Sequence, residues 1–212
     1  MTSASGSTAQ SELSRALAPL HQSYLRRLEE MVGRVAPDVL VREVAARTEG
    51  GRLIEGEDGF PVRFDVADSK TGSTFEVRSA KFDAPALERL RVGATEFELM
   101  PGCWEELVVA CRWDGDPVEE DAQALASLLR AFHELAWHGA FSPRLAAEPW
   151  SGRVHGLRVV QTGSVVAGVF DLGTCPPSAF DALAHSLDGF GRDRAPLAKV
   201  VIGGTEPDPN EA

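Results

Sequence analysis

Apolar and polar positions alternate with a period of two along several stretches of the chain, and that period marks strands with one buried face. In 95–99, Phe97 and Leu99 alternate with Glu96 and Glu98. The stretch 104–113 predicts a longer strand. Leu107, Val109, Cys111 and Trp113 share one face, and Glu106, Val108, Ala110 and Arg112 share the other. The second face is apolar in its middle, which predicts a central strand covered on both sides. Between the two, Met100-Pro101-Gly102-Cys103 suits a type II turn, so 95–113 reads as a hairpin. Val62, Phe64 and Val66, then Phe75 and Val77, predict two further strands. A second hairpin runs from Leu157 through Thr162-Gly163 to Leu172, and 197–202 is a last strand. Residues 38–46 mix strand and helix formers. They are assigned to a strand because Thr48-Glu49-Gly50-Gly51 reads as a turn into 52–55.

A period near 3.6 predicts the helices. The clearest spans 117–138, with Leu125, Leu128, Leu129, Phe132, Leu135 and Ala136 as its apolar stripe. Asp116 is the expected N-cap, Pro117 the first helical residue, Glu119 the partner in an acidic capping box and Gly139 the stop. An N-terminal helix over 19–34 carries Leu20, Tyr24, Leu28 and Met31 at spacings of three and four. A start near Ser11 would place Pro19 at a kink. Shorter helices are expected near 84–91, with Leu87 and Leu90 inward, and near 177–188, stopped by Gly189. Two strands followed by a helix thus recur three times. The fold class is α+β, with a mainly antiparallel sheet built from hairpins. Residues 12–202 are expected to form a single domain, with a candidate subdivision near 142–152. Residues 1–11 and the tail 203–212 are expected to be disordered.

Composition narrows the partners. The 212 residues carry a net charge of −11 and a pI near 4.9. That balance opposes attraction to nucleic acid or to an anionic membrane and favours a basic partner. No apolar run is long enough to span a bilayer. Cys103, Cys111 and Cys175 are odd in number and form no CxxC pair, so neither a disulfide framework nor a zinc knuckle is expected. Met1–Ser11 has no basic region followed by an apolar run, and the expected location is the cytoplasm.

Candidate chemistry is sparse. His133-Glu134-Leu135-Ala136-Trp137-His138 resembles a zinc motif, but its histidines are five residues apart. At ~100° per residue they diverge by about 140°, whereas HExxH needs four. Glu134 and His138 are expected to face water. Cys103 lacks a neighbouring cation to lower its pKa. No GxSxG elbow or Walker A loop occurs. No catalytic residue, metal or cofactor is therefore assigned. Acidic residues do gather beside the first hairpin, and Glu96, Glu98, Trp104, Glu105 and Glu106 are the candidate partner-binding residues. The expected function is non-enzymatic protein binding, as an immunity- or antitoxin-type inhibitor or an adaptor facing a basic partner. Two alternatives stand beside it. One is an enzyme or small-ligand domain, which a pocket gathering His133, His155 or Asp171 would favour. The other is a structural subunit that assembles through the first helix.

Overall fold

The chain is an α+β fold with three helices and two sheets. The computed structural model describes residues 11–34, 39–56, 59, 61–77, 88–142 and 151–207. In order, the elements are α1 (Glu12–Val32), β1 (Leu40–Ala45), β2 (Arg63–Asp68), β3 (Thr74–Phe75), β4 (Glu88–Val92), β5 (Thr95–Leu99), β6 (Leu107–Arg112), α2 (Glu119–Trp137), β7 (Gly156–Thr162), β8 (Val165–Asp171), α3 (Ala179–Asp193) and β9 (Lys199–Ile202). Strands β1-β2-β3 form an antiparallel sheet. The larger, six-stranded sheet has the order β4-β5-β9-β6-β8-β7, with β5–β9 its one parallel pair.

The order of the large sheet explains where the helices lie. β6 and β7 each run antiparallel to β8, so α2 is a crossover between parallel strands. β8 and β9 each run antiparallel to β6, so α3 is another. The two crossovers move in opposite directions across the sheet and start from opposed strands. Right-handed connections of that kind place both helices on the same face. Phe132 and Leu129 of α2, Phe180 and Leu183 of α3, and Leu17, Tyr24 and Leu28 of α1 pack there with Leu107, Val109, Val166 and Phe170 of the sheet. The opposite face carries a separate apolar cluster of Val108, Ala110, Val165, Ala167, Val169 and Val201, to which no helical residue belongs.

Several sequence expectations change. α1 starts at Ser11, whose hydroxyl accepts the Ser14 N–H, and it runs through Pro19 without ending there. Ser14 donates to Asp181 over 2.7 Å, which ties that end of α1 to α3. The expected helix near 84–91 is replaced, in its described part, by β4. Leu90 pairs with Phe97 and Arg91 with Glu96, so the period is two, and residues 84–87 lie outside the described residues. Asp116 does not cap α2. The helix begins at Glu119 after Val118, whose backbone is extended (φ −66°, ψ 145°), and no side chain caps it. Its C-terminus ends as expected at Gly139, whose N–H bonds Ala136 while that of Ala140 bonds Leu135. Leu135 is exposed and His133 takes the inward position instead. α3 continues through Gly189 to Asp193, where the Asp188 carboxylate receives the Ala94 N–H at 2.8 Å and so anchors the β4–β5 turn.

The largest correction concerns the first hairpin. β5 and β6 are not neighbours, because β9 lies between them. Val200 and Ile202 reach the helix-covered core and Val201 the opposite face, so β9 buries both its sides and outcompetes a direct β5–β6 ladder. Residues 100–106 become a wide connection rather than a tight turn. Residues 203–206, expected to belong to a disordered tail, are held against the sheet. Gly203 donates to Val108 over 2.8 Å, Gly204 donates to Pro101 over 2.7 Å, and Glu206 pairs with Arg158. Residues 1–10, 208–212 and most of the candidate boundary at 142–152 lie outside the described residues.

Gly203 is where β9 leaves the sheet, and two constraints meet there. Its φ is +93°, and a Cβ would stand 2.1 Å from the Met100 carbonyl oxygen. Gly203→Ala is therefore expected to cost at least about 2 kcal/mol, the left-handed penalty plus a backbone clash. Urea unfolding should show the midpoint fall with an unchanged slope. A variant within experimental error of the wild type would refute this account of the β5–β9–β6 junction.

Candidate functional site

Two places on the molecule gather polar chemistry. The first is a buried cluster where the two sheets meet. On β1 and β2, Glu43 and Asp65 fall between the paired residues 42↔66 and 44↔64, so they oppose each other. They are 6% and 4% exposed. Two like charges placed directly across a ladder repel. His155, just before β7, supplies the opposite charge. Its Nδ1 lies 3.4 Å from Asp65 Oδ1 and 3.9 Å from Asp171 Oδ1, and its Nε2 lies 3.8 Å from Glu43 Oε1. These are ion-pair separations, longer than hydrogen bonds.

Hydrogen bonds complete the cluster. Tyr24 of α1 donates its hydroxyl to Asp65, whose other oxygen accepts the Val77 N–H at 2.6 Å. Glu43 accepts from the Thr174 hydroxyl and the Ser151 N–H. The Gly173 N–H donates to Asp171 over 3.1 Å, so Asp171 also closes its own turn. Gly173 has a φ of +48°, and a Cβ there would lie 2.4 Å from His155 Nε2, so only glycine lets the imidazole lie against this turn. Glu43 itself sits at a φ of +48°, in the left-handed region that non-glycine residues avoid. Its carbonyl is taken by Arg63 over 2.8 Å, and the Arg63 guanidinium lies 4.1 Å over the Trp137 ring.

The electrostatics follow from that crowding. Burial alone would lower the His155 pKa, but Glu43, Asp171 and Asp65 outweigh it and hold the imidazole above its ordinary value. Burial would raise Glu43, yet His155, Ser151 and Thr174 bring it down to about 2. For Asp171 burial dominates and lifts the carboxyl to about 6, with His155 pulling the other way. Its side chain keeps 37% exposure, so water tempers that shift. The cluster is a buried charged joint in which Asp171 alone keeps partial exposure. Among the described residues, no group of three or more His, Cys, Asp or Glu side chains could hold a metal ion.

The second place is the face of the large sheet that bears no helix. Glu96 and Glu98 project there, since Phe97 between them is buried in the helix-covered core and Glu98 pairs with Val201. Glu106 lines a groove on the same face with Val108. The structure therefore brings three of the five candidate residues onto one face. It separates Trp104, which is 1% exposed, donates Nε1 to the Gly173 carbonyl over 2.9 Å and packs on Phe180. A side chain so placed presents nothing to a partner. Glu105 is half-buried. Glu98 is not a bare acid, because Lys199 pairs with it and, with Arg89 and Arg112 adding to the effect, holds its carboxyl below the ordinary range.

In the sequence His155 and Asp171 stand out only as markers of a pocket or, for Asp171, as the cap of the turn after its strand, and Glu43, Asp65 and Tyr24 carry no sign of a shared site. The sequence carries no signal for Asp65, which occupies the polar position between Phe64 and Val66 of an alternating strand. His133 is fully buried on the inner side of α2, and burial lowers its pKa to about 4. Glu134 and His138 face water. No family model, curated protein or solved structure matches the chain.

His155→Gln keeps the size of the side chain and removes its charge. It is expected to cost about 3 to 5 kcal/mol at neutral pH, the range for breaking one partner out of a buried ionic group. The His155 contribution is complete below its unfolded value of 6.5 and is lost as pH rises through the higher folded value. The Glu43 contribution is complete above 4.5 and is lost as pH falls towards about 2. The stability gap between wild type and His155→Gln should therefore narrow as pH rises above 6.5, and that for Glu43→Gln as pH falls below 4.5. Urea titrations across pH measure both, and gaps that stay constant would refute the joint.

Proposed function

We propose that this chain is a non-enzymatic protein-binding protein, of the inhibitor or adaptor kind, which receives a partner on the helix-free face of its six-stranded sheet. The observation that carries the reading is the segregation of that face. Its centre is the contiguous cluster of Val108, Ala110, Val165, Ala167, Val169 and Val201, with helices packed only on the other side among the described residues. These six side chains are themselves 0–8% exposed, so what the face presents outward is its charged ring, the part of a protein interface that sets partner choice. The ring includes Glu96, Glu98, Arg89, Arg112 and Lys199. Both signs are present, which suits a partner with mixed charges better than one that is simply basic.

The enzymatic alternative finds weaker support. His155 and Asp171 do meet, but in a joint where the His155 ring is buried at 2% exposure. Assembly through α1 is also less favoured, because Leu13, Leu17, Leu20, Tyr24 and Leu28 of its stripe are spent in the chain's own core.

Val160 of β7 lies opposite Ala167 on the helix-free face and is only partly buried, so Val160→Glu alters the face without opening the core. Tagged full-length protein in a lysate of the native host is expected to capture one stoichiometric protein, and Val160→Glu, equally folded by circular dichroism, to lose it. Recovery of no stoichiometric partner, or recovery indifferent to Val160→Glu, would overturn the reading.

A further inference from the structure

Strands β4 and β7 are the two edges of the six-stranded sheet among the described residues. β4 joins β5 through only Gly93 and Ala94, so Val92 and Thr95 are the first hydrogen-bonded pair of that ladder. The bonds then alternate. Leu90 and Val92 turn their backbone groups to β5, and Arg89 and Arg91 turn theirs away from the sheet. Met100 agrees with this parity, because even-numbered positions of β5 face β9 and the Met100 N–H donates to the Ile202 carbonyl over 2.8 Å. The outward N–H and C=O groups of Arg89 and Arg91 have no partner among the described residues.

The two faces of this edge differ. On the helix side, Leu90 and Val92 are half-buried and border a groove of ≈ 300 Å³ that Leu13 of α1 and Ala184 of α3 also line. On the helix-free side, Arg89 and Arg91 are exposed and make no salt bridge among the described residues. Glu98 and Glu96 stand opposite them on β5, but Lys199 already holds Glu98. On this side of β4, β5, β9 and β6 the cations Arg89, Arg91, Lys199 and Arg112 outnumber the acids Glu96 and Glu98, so this corner of an acidic chain is positive.

From this combination we infer that β4 pairs with an extended segment of a partner protein in which acidic and apolar residues alternate. The segment's backbone meets the outward groups of Arg89 and Arg91, its acids lie beside the two arginines, and an apolar side chain beside Leu90 enters the groove. Charged side chains guard an edge against indiscriminate pairing, and these two admit a strand of opposite sign. A second copy of this chain is a poor occupant, because antiparallel pairing about Leu90 sets Arg89 against Arg91. Residues 1–10 contain no acid to match the arginines. The inference rests on the reading that the chain binds a protein, and it names the strand through which it does so.

Blocked Glu-Val-Glu-Val-Glu and Lys-Val-Lys-Val-Lys peptides are suitable probes, alike in apolar content and opposite in charge. They are titrated into the isotope-labelled full-length protein at low salt, and amide exchange along β4 is followed by NMR. At saturation the acidic peptide should slow exchange at Arg89 and Arg91 at least about tenfold and leave Leu90 and Val92, already bonded to β5, unchanged. It should bind at least about tenfold more tightly than the basic peptide. Arg89→Gln combined with Arg91→Gln should erase that preference. Arg91→Pro, which removes an outward N–H and no bond to β5, should abolish binding. Absence of shifts in β4, protection that does not alternate, equal affinity for the two peptides, or a preference that survives both glutamines would each overturn the inference. So would Arg89 and Arg91 amides already protected in the free protein. Protection that fades on dilution would assign the edge to a second copy, and protection that persists would assign it to the chain's own residues. Failure of the peptides with partner capture still dependent on Val160 would leave the docking face standing without an edge strand. The expected peptide result with capture indifferent to Val160 would uphold the edge and remove the docking face alone.

Discussion

Two carboxylates facing each other across one rung of a small sheet set the terms for the rest of this structure. Glu43 and Asp65 are both buried, and His155 lies between them within ion-pair distance of each, where Glu43 and its neighbours hold the imidazole pKa above its ordinary value. The consequence reaches beyond the pair. His155 belongs to the approach to β7, Asp171 to the end of β8, and Tyr24 to α1, so neutralising two charges on the three-stranded sheet fixes it against the six-stranded sheet and the first helix together. The costs are visible nearby. Glu43 accepts a left-handed backbone to aim its side chain inward, Gly173 gives up a side chain to admit the imidazole, and Arg63 crosses to satisfy the Glu43 carbonyl. A buried ionic group is weak evidence of net stability but specifies one arrangement over others. A three-stranded sheet with strands as short as Thr74–Phe75 needs such specification more than a large one does.

The large sheet is governed by topology instead. Its two crossover helices start from opposed strands and move in opposed directions, which sends both to one face. α1 joins them there through Ser14 and Asp181. The opposite face is left to small β-branched and alanine side chains with charged residues around them. Chain order alone therefore sends the helices to one side of the sheet and, among the described residues, leaves none on the other.

Much of this was legible in the sequence where local pattern and final environment agree. Leu107, Val109 and Cys111 do face the helices, Val108 and Ala110 do form a second apolar side, and both hairpin strands of 157–171 pair as their alternation implies. Legibility failed where a distant partner overrode a local signal. Pro101-Gly102 carries good turn chemistry, yet the ladder it would have closed is occupied by β9, about a hundred residues further on. The stretch 88–92 has helix-forming residues, but Leu90 and Val92 found Phe97 and Thr95 across a short turn, and pairing outweighed propensity. The buried joint was the least legible feature. Its members at positions 24, 43, 65, 155 and 171 share no spacing, and only folding makes them neighbours.

The net charge of −11 is the feature most easily over-read. At the start of α2, Glu119, Glu120 and Asp121 complement the helix dipole, and Arg194 at the end of α3 bridges the last two at 2.8 Å each. Asp188 caps a turn, Asp181 holds α1, and Glu43 and Asp65 are consumed in the joint. On the helix-free face Glu98 is matched by Lys199. Once these structural duties are subtracted, the acidity of the chain does not define a binding surface. Glu106 differs from these acids: it stands beside the groove that Val108 and Val169 line, and its carboxylate has no partner among the described residues.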